Sequence, residues 1–173
     1  MSSTSPDSGV NGDVPTQRMA FTVAITSPAQ ADVQALIAAL DAYQDTLYPP
    51  ESRHVLDLAG LLQPQVTVLV ARDRAGLALG CVALVRQADH GEIKRLYVIP
   101  AARRLGVARV LLTTLQHHAA AQGCPVLRLE TGPRQTEALT FYARQGFTPC
   151  PPFGAYRADP LSVFLHKRLA IPA

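Results

Sequence analysis

The stretch from Glu92 to Ala108, Glu-Ile-Lys-Arg-Leu-Tyr-Val-Ile-Pro-Ala-Ala-Arg-Arg-Leu-Gly-Val-Ala, constrains the fold more than any other part of the chain. Ile93, Leu96, Val98 and Ile99 favour a strand, and Pro100 cannot donate to a ladder and so ends it. From Val107 onward Val107, Val110, Leu111, Thr114, Leu115 and His118 recur at helical spacing, which predicts a helix from Arg104 to Gln122 closed by Gly123. A strand that turns directly into a helix aims the free N–H groups of the helix start at whatever lies beyond the strand. Arg103, Arg104 and Arg109 surround that point, and Gly106 and Ala108 are small enough for close approach. Unpaired donors, the positive end of the helix dipole and guanidinium groups together form a cradle for a doubly charged phosphate group. Neither G-x-x-x-x-G-K-[ST] nor G-x-G-x-x-G followed by an acid is present, so two common phosphate loops are excluded.

The spacing P-x-x-R-x-x-G-x-A, from Pro100 through Arg103 and Gly106 to Ala108, resembles the acetyl-CoA-binding signature of the GNAT superfamily of N-acetyltransferases. A second landmark, Ala138-Leu-Thr-Phe-Tyr142-Ala-Arg-Gln-Gly146-Phe147, is similar to that family's A-x-x-x-Y-x-x-x-G-F segment. Three further blocks resemble a subset of small bacterial GNAT proteins. They are Tyr48-Pro-Pro-Glu51-Ser-Arg-His54, Glu130-Thr-Gly-Pro-Arg-Gln135, and Pro152-Phe-Gly-Ala-Tyr156 continued by Asp159-Pro-Leu-Ser162-Val-Phe.

At 173 residues the chain has the size of one domain. Residues 1–18, rich in Ser, Gly, Pro, Thr and Asp, read as a disordered tail without a secretory core, and residues 19–173 as a single domain. Strands are expected over Phe21–Thr26, Val66–Ala71, Leu77–Val85, from Glu92, over Val126–Thr131, at Phe147–Pro149 and over Leu161–Leu169. Helices are expected from Ser27 or Pro28 to about Tyr43–Tyr48, over Ser52–Leu62, over Arg104–Gln122 and over Gln135–Gln145. The order β-α-α-β-β-β-α-β-α-β-β describes an α/β mixed sheet with helices on both faces. It agrees with the GNAT fold, which implies that the fourth and fifth strands splay apart around the pantetheine arm.

The net charge of +3 is small and concentrated near Arg103–Arg109, and the few aromatic residues do not interleave with it, which argues against a nucleic-acid partner. No apolar run approaches the ~20 residues of a membrane span. Cys81, Cys124 and Cys150 lack C-x-x-C spacing, and His117, His118 and His166 lack partners at ligand spacing, so no disulfide framework and no metal are expected. A reducing, cytoplasmic setting follows from the cysteines.

What the resemblance implies for the site goes residue by residue. Main-chain groups of Leu96, Tyr97 and Val98 would pair with the pantetheine arm. Arg103, Arg104, Leu105, Gly106, Val107, Ala108 and Arg109 would hold the pyrophosphate, Arg103 foremost among the side chains. Gln135 stands where the family often has Asn ahead of Ala138, offering the same amide on a longer arm. Glu92, eleven positions before Arg103, matches the glutamate that serves several members as base; a solvated charge or an ion pair with Lys94 or Arg95 is the bland alternative. Tyr142 is the general-acid candidate for the leaving thiolate, against plain packing beside the cofactor arm. Tyr48, Glu51 and His54 on one side, and Arg134, Tyr156 and Arg157 on the other, are the acceptor-binding candidates; the two arginines could pair with a substrate carboxylate. The expected activity is acetyl transfer from acetyl-CoA to a primary amine of a small molecule. A protein N-acetyltransferase and a non-catalytic CoA-binding module stand as alternatives, and a homodimer is implied by the family.

Overall fold

A computed structural model describes residues 20–172; the tail expected over residues 1–18 lies outside the described residues. The elements are β1 (Phe21–Ile25), α1 (Ala31–Asp45), α2 (Leu58–Leu61), β2 (Val66–Asp73), β3 (Ala78–Arg86), β4 (Gly91–Val98), α3 (Val107–Ala121), β5 (Val126–Thr131), α4 (Thr136–Arg144), β6 (Thr148–Pro149) and β7 (Val163–Arg168). They build one seven-stranded sheet in the order β1-β2-β3-β4-β5-β7-β6. All neighbours are antiparallel except β4 and β5, which run parallel. This is the mixed α/β fold that the sequence implied.

Alternation along the strands divides the core. Leu69, Ala71, Leu79, Leu84, Ile93, Leu127 and Leu129 face α3 and α4, packing on Leu111, Leu115 and Tyr142. Val68, Val70, Cys81 and Ala83 face α1 and α2, against Val33, Leu36 and Leu61. Such two-sided burial explains the nearly continuous apolar run of β3, of which only Arg86 is exposed. Gly80 sits at the centre because a Cβ there would lie 2.6 Å from the Tyr97 carbonyl oxygen, backbone that cannot yield.

Three expectations need correcting. The helix expected over Ser52–Leu62 is reduced to a 3-10 turn at Pro50–Ser52 and the single turn α2. Val55 and Leu62 are exposed, and the carbonyls of His54 and Leu56 accept bonds from Lys94 and Arg95 rather than from the next helical turn. Helix α3 starts at Val107 rather than Arg104, because Arg104 and Gly106 both adopt left-handed conformations, with φ of 61° and 85°. Its buried stripe is Val107, Leu111, Leu112, Leu115 and Ala119, leaving Val110 exposed and Leu112 inside. The remaining elements fall within a few residues of expectation, α1 beginning at Ala31 and β7 at Val163.

Gly80→Ala forces β3 and β4 apart and is expected to cost about 1–3 kcal/mol, read as a lowered urea midpoint at unchanged slope. An unaltered midpoint would contradict the close approach.

Candidate active site

The parallel contact between β4 and β5 is short. Gly91 pairs with Leu127 and Glu92 with Arg128, and the register then stops. Beyond Glu92, β4 carries on to Val98 with no strand against the edge that faced β5. A β-bulge marks the departure: between Cys81 and Ala83 of β3, the partner strand spends one extra residue, and Arg95 takes φ 59°. The extra residue resets the alternation, so Ile93 and Leu96 both turn toward α3 while Lys94 and Arg95 turn toward α1. Arg95 holds the distortion in place. Its side chain is only 6% exposed, pairs with Asp41 of α1 and donates twice to the Leu56 carbonyl. Adjacent basic residues inside a strand, Lys94 and Arg95, give no hint of a bulge, and the sequence offers Arg95 only as a possible partner of Glu92.

The unpaired edge of β4 leads into the turn before α3. There the first main-chain bond of the helix runs from the Val110 N–H to the Gly106 carbonyl, and no side chain caps the end. The N–H groups ahead of Val110 are therefore the unsatisfied donors of a helix start. Arg104, Leu105, Gly106 and Arg109 are exposed around them, Ala108 is half-buried, and Val107 is an anchor in the core. The Arg103 side chain folds back, donating from Nε to the Val98 carbonyl at 3.1 Å with its guanidinium over the Tyr97 ring. Gln135 and Ala138 lie at the start of α4; the Gln135 Oε1 accepts from the Thr131 hydroxyl.

On the α1 face, Glu92 is 7% exposed, so it is no solvated strand-end charge. It accepts a hydrogen bond from the Tyr156 hydroxyl, and Lys94 Nζ stands 3.4 Å from its Oε1 and 2.8 Å from the Tyr156 oxygen. Burial, and next the Glu92 hydrogen bond, push the Tyr156 phenol upward, so it keeps its proton and donates. These groups form the floor of a cavity of ≈640 Å³ whose walls include His54, Val55, Leu56 and Phe153. Tyr142 is on the opposite face of the sheet, in the core between Phe141 and Phe147, each ring 5.4 Å away. Burial raises its pKa and keeps it protonated.

Of the other acceptor candidates, Tyr48 and Arg134 meet each other. The buried Tyr48 hydroxyl accepts the Arg134 main-chain N–H at 2.9 Å, while the Arg134 guanidinium bonds the Leu47 carbonyl and lies over the Tyr48 ring. The pair ties the loop after β5 to the loop after α1. Glu51 and Arg157 are exposed. His54 packs edge-on against Tyr156, with ring centroids 4.9 Å apart. Among the cysteines, burial pushes Cys81 up to about 12, which leaves it an inert thiol.

In the sequence Glu130 stands out only as part of a family block, yet it occupies β5 on the same face as Glu92, just past the point where the strands separate. Desolvation first, against a hydrogen bond from Ser162, raises it to about 6. Only the parity of β5 (Leu127 and Leu129 inward, Arg128 and Glu130 outward) signalled its direction.

The sequence model of the acetyltransferase (GNAT) family matches residues 34–147, and the chain belongs to that family. It is 44% identical over 150 residues to the IAA acetyltransferase of Azospirillum brasilense, covering 86% of this chain and 97% of that one. It is 35% identical over 152 residues to the uncharacterized N-acetyltransferase YedL of Escherichia coli, covering 86% and 95% respectively. The crystal structure of a Klebsiella pneumoniae protein assigned as an acyl-CoA N-acyltransferase superposes with a TM-score of 0.77 at 39% identity, over 87% of this chain and 98% of that one. The PaiA N-acetyltransferase of Thermoplasma acidophilum, solved with coenzyme A, shares the fold at a TM-score of 0.69 and 17% identity, over 87% and 99%. The chain is thus an acyl-CoA-dependent N-acetyltransferase.

The raised Glu130 carboxyl has a definite linkage. Between about 4.5 unfolded and about 6 folded, the native state holds the extra proton, so stability falls as pH rises through that window and stays lower above it. Glu130→Gln should therefore stabilise the protein near neutral pH, by about 2 kcal/mol at most, with the gain vanishing below about pH 4.5. Thermal melts of both proteins across that range test this; a pH-independent difference would refute the shift.

Proposed function

We propose that the protein transfers the acetyl group of acetyl-CoA to the primary amine of a small molecule. Glu92 acts as base on the acceptor side and Tyr142 as acid on the thiol side. The carrying observation is the continuity of the β4 edge: it is unpaired from beyond Glu92, runs into the uncapped start of α3, and has a buried carboxylate at the other end. Unsatisfied main-chain donors beside exposed arginines fit a pyrophosphate, and an open strand edge fits an amide-bearing arm. Leu96, Tyr97 and Val98 would contribute main chain to that arm, with Gln135 and Ala138 on its far side. The turn Arg103–Arg109 would hold the phosphates, the Arg103 guanidinium being free to leave the Val98 carbonyl. When bound, acetyl-CoA supplies an acetyl group already activated as a thioester.

The chain's own part is to position and to move protons. An alkylamine near pKa ~10 arrives mostly protonated, and the Glu92 carboxylate, which lines the cavity, would take its proton. Lys94 and the Tyr156 hydroxyl steady the Glu92 carboxylate, which is itself buried. The Tyr142 hydroxyl keeps its proton for the departing sulfur from the other face. The retention of a carboxylate and a cavity together favours catalysis over a purely CoA-binding module. A cavity of ≈640 Å³ is within the range of small-molecule sites.

Two measurements test this reading. Glu92→Gln and Tyr142→Phe should each lower kcat by roughly 10²-fold or more while the calorimetric Kd for coenzyme A stays within about twofold. Unchanged turnover in both variants would remove the assigned roles. Gly106→Ala, which strains the left-handed turn at the phosphate end, should instead weaken coenzyme A binding by roughly tenfold with little change in kcat. Full affinity in that variant would place the phosphates elsewhere.

A further inference from the structure

The cavity beside Glu92 has few charged groups in its lining. Its inner end holds Glu92, and that carboxylate is already shared between Lys94 and the Tyr156 hydroxyl. The second acidic lining residue, Asp89 at the mouth, is bonded to His90 Nδ1 at 2.7 Å and stands 3.9 Å from the Arg128 guanidinium. No uncommitted carboxylate remains among the described lining residues. Exposed Arg157 next to Tyr156 adds positive rather than negative charge.

The walls, in contrast, are rings and branched aliphatics. His54, Tyr156, Phe153 and His90 form a chain of edge-on contacts with centroids 4.9, 5.1 and 5.3 Å apart. Val55, 47% exposed, and Leu56 face them across the opening. Phe164 of β7 backs Phe153 and Tyr156, which fixes the wall to the sheet. Rings held edge-on present their flanks to a flat guest. A guest carrying a second or third ammonium would have to compete with His90 and Arg128 for Asp89 at the mouth, or leave it unpaired against the rings at the cost of its desolvation.

We infer that the acceptor is a primary amine with a single positive charge on an aromatic or branched apolar body. Its amino end meets Glu92, its body lies along His54, Phe153 and Tyr156, and polycationic amines are rejected. The inference rests on the proposed acetyl transfer, whose acceptor class it names.

The test uses the full chain, with and without coenzyme A, and two probes: 2-phenylethylamine and the polyamine spermidine. Calorimetry should show 2-phenylethylamine binding, and acetyl transfer to it should exceed transfer to spermidine by roughly tenfold or more in kcat/KM. Val55→Glu places a free carboxylate on an exposed wall position and should narrow that preference by roughly tenfold at an unchanged melting temperature. Equal or better use of spermidine by the unaltered chain overturns the inference. So does failure of 2-phenylethylamine to bind a chain that binds coenzyme A. If 2-phenylethylamine binds but coenzyme A does not, the acetyl-transfer reading fails while the acceptor chemistry of the cavity stands.

Discussion

The parting of β4 from β5 after Glu92 is the constraint on which the rest depends. Two adjacent parallel strands ordinarily satisfy each other's main chain along their length, and leaving an edge open inside a sheet exposes donors and acceptors that must find partners. Here the separation is held by a bulge whose extra residue is an arginine, and that arginine is anchored by Asp41 and the Leu56 carbonyl. The same anchoring explains why the segment before α2 stays extended. Its carbonyls are used by Arg95 and Lys94 and are not available to a helical ladder. One distortion therefore shapes the open edge, the wall of the cavity beside Glu92 and the segment before α2.

The opening separates two chemistries that would interfere if mixed. On the α1 face are Glu92, Lys94 and Tyr156, a polar cluster under aromatic walls, with Glu130 on β5 outside that lining. On the α3 face Tyr142 sits among Leu129, Phe141 and Phe147, dry and protonated. In the proposed reaction, Glu92 takes a proton from the acceptor on one face and Tyr142 gives its own to the sulfur from the other, so the two roles stay on separate groups. Glu92 and Glu130 are carboxylates of one face with different surroundings. The first is paired with an ammonium and a phenol; the second has a single hydroxyl donor, and burial raises its pKa to about 6.

How far the sequence reached depended on how local each determinant was. Val126–Thr131 alternates cleanly and was found to the residue, because a strand between two layers writes its period into its own side chains. The segment Ser52–Leu62 has apolar residues at plausible helical intervals, yet it yields only one helical turn. What overruled the spacing were two basic side chains from β4, some forty positions away. Arg134 had the composition of a carboxylate clamp, but its partner is the Tyr48 ring of a distant loop. Glu92 was identified by its offset from Arg103, whereas its burial and its bond to Tyr156 span 64 positions.

By itself the sequence determined the order of elements, the strand-to-helix turn with its small Gly106, and the residue types able to receive a phosphate and exchange a proton. Those are settled by φ preferences, side-chain period and chemistry within a few residues. Only the tertiary structure decided which carboxylate is buried, which arginine props a bulge, and which rings line the cavity beside Glu92. Desolvation and pairing belong to groups brought together from far apart in the chain, and no local pattern records them.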